Sequence, residues 1–230
     1  MLKEIGLKKL EDLFADLANR GDRGFGGTLR PNPMDEIEIR AHMEGLLSKN
    51  VPFGKRCFAG GGPWFHYVPS VVGQMVSRGE FLTSYTPYQA EISQGVLQAL
   101  FEYQSMICEL YDMEVANASM YDLPTAIGEA ALLCSRVTGR RAFIAPMGMP
   151  RPWRSVLENL TEPQAVSLRL IPRSPESGGV DLEGLKSVLD RDVAGVYLES
   201  PTCYGVLDSG VKAAVEIAHD AGALAVVGAD

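Results

Sequence analysis

Leu2, Ile5, Leu10, Leu13, Phe14 and Leu17 recur at helical spacing and predict a short amphipathic helix at the start of the chain. The GDRGFGGTLRPNP stretch after it is rich in Gly and Pro and reads as a loop. Residues 34–49 fit a second helix, with Asp35 and Glu36 favouring its start and Ile37, Leu46 and Leu47 forming an apolar face. Each of these faces needs a cover, so the region reads as an arm laid on a partner. A glycine run (Gly60, Gly61, Gly62) then leads into Trp64, Phe65, His66 and Tyr67. A longer helix over about residues 89–111 carries Ile92, Val96, Leu100, Tyr103, Ile107 and Leu110 on one stripe, and another is predicted over about 124–138. Beyond it the pattern changes. Short apolar runs at 141–145, 165–171, 194–198 and 223–227 alternate with helical stretches at about 153–160, 182–190 and 209–221. Strand–helix alternation of this kind argues for a mainly parallel sheet covered by helices. Two regions follow: residues 1–80, a helical arm with a Gly/aromatic loop, and residues 81–230, the N-terminal part of an α/β large domain. The last predicted strand has no helix after it, which is unusual for a buried parallel strand and leads us to expect a longer natural chain.

Composition narrows the possible functions. The chain has 230 residues, 46% hydrophobic, and a formal net charge of -8. It can build a core, and its charge argues against nucleic acid or an anionic membrane as the main partner. The four cysteines (Cys57, Cys108, Cys134, Cys203) and three histidines form no metal-ligand spacing. The N-terminus lacks the apolar segment of a secretory signal, and no run reaches the roughly 18 apolar residues of a membrane span. A cytoplasmic protein is the expectation.

Several segments have the residue types of a site. TSYTPYQAEISQG crowds Tyr85, Thr86, Tyr88, Gln89, Glu91, Ser93 and Gln94 at the start of a helix. Such groups can orient a small polar substrate, or form a satisfied network that fixes one domain on another. His66, after the glycine run, is another candidate, although a packed histidine is the commoner outcome. Asp122, Pro124 and Thr125 open the next helix. A helix start of this kind can hold a phosphate, or be an ordinary capped terminus. Asp230 follows the last strand, where open α/β sheets bind ligands and a carboxylate can meet a ring nitrogen. Glu199-Ser200-Pro201-Thr202 also follows a strand, and reads as rim or as a simple turn.

The segments CFAGGGPWFHYVPSVV, YTPYQAEISQGVLQALFEYQSMICEL, MEVANASMYD and ESPTCYGVLD together resemble the P-protein of the glycine cleavage system. The likeness is to the α-type half, subunit 1, found where the enzyme is split into two chains, and it runs over nearly all 230 residues. It implies a fold type I pyridoxal-phosphate transferase-like large domain. It also implies a heteromeric glycine dehydrogenase (decarboxylating), which transfers the aminomethyl group of glycine to the lipoyl arm of H-protein. The implied partners are subunit 2 of the P-protein, lipoylated H-protein and glycine. Enzymes of this fold place their Schiff-base lysine downstream of the strand-end Asp, whereas all seven lysines here precede Asp230. No catalytic residue is therefore expected in this chain. Where the family has MYDG at its phosphate loop, this chain has Met120-Tyr121-Asp122-Leu123-Pro124-Thr125, with less backbone freedom and one N–H fewer. A histidine expected before the next helix is replaced in the run Pro150-Arg151-Pro152-Trp153-Arg154. The resemblance thus implies that pyridoxal phosphate sits on the partner subunit, that Asp122, Thr125 and Asp230 are a vestigial or weak cofactor site, and that Tyr85, Thr86, Tyr88, Gln89, Glu91, Gln94 and His66 line an active-site wall. The other readings are a purely structural scaffold subunit and a self-sufficient fold type I transaminase or decarboxylase whose lysine lies beyond residue 230.

Overall fold

The computed structural model describes residues 1–14, 33–50, 66–82 and 86–229. The glycine run at 60–62, Tyr85 and Asp230 lie outside the described residues. The chain forms two compact units, Met1–Phe58 and Ala59–Asp230.

In the first unit the expected N-terminal helix does not form over residues 1–14. Turns there lead into a 3₁₀ helix, Leu10–Phe14. Gly6 takes a left-handed φ of 75°, a conformation that ends a right-handed helix. The Asp12 carboxylate accepts the Lys8 and Lys9 N–H groups, closing a local turn instead. Helix α1, Glu36–Leu47, forms as expected. Asp35 caps it in a reciprocal box: the Glu38 N–H donates to Asp35 at 2.8 Å and the Asp35 N–H donates to Glu38 at 3.1 Å. None of its residues is buried.

The second unit begins with two short helices, α2 (Ser70–Val76) and α3 (Gly79–Leu82), followed by α4 (Ala90–Tyr111) and α5 (Leu123–Thr138). Of the stripe expected to bury α4, Val96, Leu100 and Ile107 are half-buried while Ile92, Tyr103 and Leu110 are exposed, and Ser93 is the helix's one buried residue. The α/β layer then follows as β1 (Ala142–Pro146), α6 (Arg151–Thr161), β2 (Ser167–Ile171), α7 (Leu182–Val188), β3 (Val193–Glu199), α8 (Val211–Asp220) and β4 (Leu224–Gly228). The strands are ordered β2-β1-β3-β4, and every pair is parallel.

Strand periodicity sorts the core into two layers. Phe143, Ala145, Ala194 and Tyr197 face one side, against Ile127, Ala131 and Cys134 of α5 and Leu157 of α6. Ala142, Ile144, Val196 and Leu198 face the other, against Leu185 of α7 and Ala214 and Ala218 of α8. Both faces of the sheet are therefore covered, as a parallel sheet requires. Each large side chain fully buried here contributes about 1.5–3 kcal/mol. Gly195 interrupts the apolar run of β3 because a Cβ there would stand 2.7 Å from the Cys134 sulfur and 3.0 Å from the Phe143 ring. Arg140 seals the amino ends of the strands by donating to the Val193 and Ala221 carbonyls at 2.9 and 3.0 Å.

Gly195→Val is expected to force α5 off the sheet and to destabilise the fold by about 1–3 kcal/mol or more, read as a lowered thermal midpoint by circular dichroism. Ala225→Val on the neighbouring, less buried strand serves as the control and is expected to shift the midpoint less.

Candidate functional site

The carboxyl ends of β1, β2 and β3 converge on a buried charged cluster. Pro172, directly after β2, cannot continue the ladder and turns the chain, which places Arg173 at the strand end. Glu199 ends β3 with its side chain only 4% exposed, and that of Arg173 is 12% exposed. The guanidinium donates to the Glu199 carboxylate at 2.9 Å. Glu199 also accepts the Cys203 N–H at 3.3 Å and the Tyr197 hydroxyl at 3.4 Å. The rest of the guanidinium is packed close. One donates to the Gly178 carbonyl at 3.5 Å, and the planar face lies 5.3 Å from the centroid of Tyr204. Nε is buried without a hydrogen-bond partner, against Gly148, where any Cβ would collide with it.

The loop after β3 is held as tightly. The Cys203 thiol donates to the Gly148 carbonyl at 3.1 Å, tying this loop to the one after β1. Ser200 and Pro201 are joined by a cis peptide bond. Thr202 accepts the Val206 and Tyr204 N–H groups on its hydroxyl. The Asp208 carboxylate accepts from Val180 at 2.7 Å and Gly210 at 2.8 Å. Burial, together with the Glu199 charge, pushes the Tyr197 hydroxyl well above its ordinary range. The same causes raise the Cys203 thiol, which disfavours its thiolate form.

The candidates read from the sequence fall into separate groups. Thr86, Gln89, Ser93 and Gln94 come together in the turn that opens α4. Thr86 donates to the Gln89 side chain at 3.1 Å, Ser93 donates to the Thr86 carbonyl at 3.1 Å, and Gln94 donates to the Glu91 carbonyl at 3.3 Å. Tyr88 and Glu91 stand outward on this turn, Tyr88 75% exposed. His66 is exposed, ahead of α2. Asp122 is the N-cap of α5 and accepts the Thr125 N–H at 2.8 Å. Hydrogen bonding from the Thr125 side chain, and then from its N–H, holds the Asp122 carboxyl below its ordinary range. Arg173, Tyr197 and Cys203 were not foreseen as members of a cluster. The signal that points to them is a charged residue at or just past the carboxyl end of a strand, at Arg173 and again at Glu199.

The polar groups at the start of α5 and at the strand ends are engaged within the chain. The start of α5 already holds a carboxylate on the Thr125 N–H, and Pro124 offers none. The buried cation at the strand ends is neutralised by Glu199. Lys186 is exposed and paired with Glu183, and Lys212 is exposed on α8. Among the described residues, no group of His, Cys, Asp and Glu is arranged to hold a metal ion, and no helix is long and apolar enough to cross a membrane.

A parallel sheet covered on both faces, with its polar cluster at the carboxyl ends of the strands, is the large-domain architecture of fold type I pyridoxal-phosphate enzymes. A sphingosine-1-phosphate lyase from Burkholderia pseudomallei K96243 shares this fold at a TM-score of 0.59 and 16% identity, over 88% of this chain and 49% of that one. The family model for the glycine cleavage system P-protein matches residues 1–230, and the chain belongs to that family. The chain is 44% identical over 231 residues to the probable glycine dehydrogenase (decarboxylating) subunit 1 of Thermococcus onnurineus, and 46% identical over 234 residues to that of Pyrococcus furiosus. Each match covers 100% of this chain and 51% of the relative, so the chain spans about half the length of the curated relatives it matches. A crystal structure of glycine decarboxylase (P-protein) in inhibitor-bound form superposes with a TM-score of 0.76 and 41% identity, over 100% of this chain and 50% of that one.

Arg173→Ala is expected to cost about 3–5 kcal/mol, because it leaves Glu199 buried and uncompensated. The double variant Arg173→Met with Glu199→Leu is expected to recover most of that loss, read by denaturant midpoints. Alkylation of Cys203 by iodoacetamide, followed by peptide mass, is expected to rise with pH only above the range of an unperturbed thiol, since the thiolate is the reactive form and is disfavoured here.

Proposed function

We propose that this chain works as part of subunit 1 of a heteromeric glycine decarboxylase. With subunit 2 it decarboxylates glycine and transfers the aminomethyl group to the lipoyl arm of H-protein. The observation that carries this reading is the match of all 230 residues to the P-protein family, together with relatives above 40% identity named as subunit 1. In this reading residues 1–80 serve as an arm and residues 81–230 as the scaffold of the large domain, in a cytoplasmic complex. Pyridoxal phosphate belongs to subunit 2, where it supplies the electron sink for decarboxylation. The self-capped start of α5 and the neutralised Arg173 support that assignment.

The part played by this chain is then to shape the site from outside. Tyr88 and Glu91 are exposed on a turn fixed by internal hydrogen bonds, and they are suited to meeting a small polar substrate held by the partner. Thr86, Gln89 and Gln94 hold the turn, with Tyr85 and His66 as further members of the wall. Asp122, Thr125 and Asp230 take the positions of a cofactor site without serving as one.

Two measurements test this. The subunit purified alone is expected to show no aldimine absorbance, and a band fixed by borohydride would favour the self-sufficient enzyme. In the assembled heteromer, Tyr88→Phe and Glu91→Gln are each expected to lower glycine turnover by about tenfold or more. Unchanged turnover with normal assembly would favour a scaffold.

A further inference from the structure

The first turn of α4 does not continue into the helix that follows. Ser93 lies inside α4 with φ -124° and ψ 34°, outside the helical region. It is also 7% exposed, in a helix whose other residues all keep contact with solvent. Kinks have identifiable causes, and here the cause is a side-chain bond. A serine within a helix normally donates to a carbonyl three or four residues back. Ser93 instead donates to Thr86, seven residues back, at 3.1 Å. The same Thr86 carbonyl accepts the Gln89 N–H at 3.0 Å, and the Gln89 carbonyl accepts the Ser93 N–H at 2.9 Å. The Thr86 hydroxyl reaches the Gln89 side chain at 3.1 Å.

Residues 86–93 are therefore clamped into a closed turn, with the Ser93 hydroxyl at its inner end and Tyr88 and Glu91 on its outer side. An unbroken helix from residue 89 would satisfy the backbone without any departure from helical geometry at Ser93.

We infer that Ser93 is a positioning residue for the glycine reaction: its bond to the Thr86 carbonyl sets where Tyr88 and Glu91 stand. The inference rests on the wall reading given under Proposed function. Without the hydroxyl, the turn is free to straighten into the helix or to fray, and either movement displaces both side chains. A displacement of about 1 Å at positioning groups is enough to lower turnover by one to two orders of magnitude.

The test uses the assembled heteromer with H-protein and glycine. Ser93→Ala is expected to lower kcat by about tenfold while KM for glycine moves by less than about threefold, the split that marks lost orientation rather than lost ground-state binding. Ser93→Thr, which keeps the hydroxyl, is expected to restore kcat to within about twofold. Hydrogen exchange of the Gln89 and Ser93 amides is expected to quicken by about tenfold in the alanine variant and not in the threonine one, with β1–β4 unchanged in both. Unchanged exchange in Ser93→Ala overturns the inference, as does quickened exchange with unchanged kcat. Tyr88→Phe and Glu91→Gln, assayed in parallel, separate the two ideas. If these lower turnover and Ser93→Ala does not, the wall stands and the role of Ser93 falls. If none of the three lowers turnover, both fall.

Discussion

The fold depends on keeping a parallel sheet dry on both faces. β3 is buried along all seven of its residues, so it tolerates neither an unpaired backbone group nor an extra methyl group. The small residues follow from that constraint. Gly195 lets the Cys134 side chain of α5 rest against the strand, and Ala214 and Ala218 let α8 approach the other face. With both faces of β1 and β3 sealed, water reaches these central strands only at their ends. The amino ends are closed by Arg140, whose guanidinium bonds two main-chain carbonyls. Polar chemistry is left to the carboxyl ends.

At those ends the chain directs its buried charge toward itself. In a parallel α/β domain a buried arginine at a strand end is well placed to receive an anion. Here Glu199, reached from the neighbouring side of the sheet, takes that role within the chain. The carboxylate is shared among a guanidinium, a main-chain N–H and a phenol, so its charge is spread over three donors. The start of α5 follows the same logic on a smaller scale, since Asp122 supplies the negative group that the helix dipole favours. Both features are internal substitutes for what a ligand would bring.

Much of this architecture was legible in the sequence. The four strands lie within about two residues of the apolar runs that announce them, the usual scatter for element ends. Asp35 and Asp122 were readable as caps because a capping residue acts on its own next turn. What was not legible depended on distance along the chain or on context. Arg173 and Glu199 are 26 residues apart and no periodicity connects them. The apolar spacing from Leu2 to Phe14 matches a helix, yet one left-handed glycine at Gly6 and the local bonds of Asp12 override it. The stripe of α4 is apolar as its spacing predicts, but spacing alone does not reveal how much of it is covered: Val96, Leu100 and Ile107 are half-buried, and Ile92, Tyr103 and Leu110 are exposed. Ser93 was noticed only as one polar residue among several; its bond to Thr86 requires the chain to double back, which no propensity scale records.

The part-covered stripe of α4 has a thermodynamic consequence. Ile92, Tyr103 and Leu110 stand in water along it, and Gln89 at the start of the helix makes no side-chain capping bond. Tertiary packing, more than propensity, is what stabilises most protein helices. Any surface that closes over this face therefore adds its free energy of association directly to that of folding, by mass action. The melting temperature of the chain would then vary with the concentration of that surface. Its lifetime in a cell would follow the supply of that surface, since a copy without it keeps α4 open to chaperones and proteases.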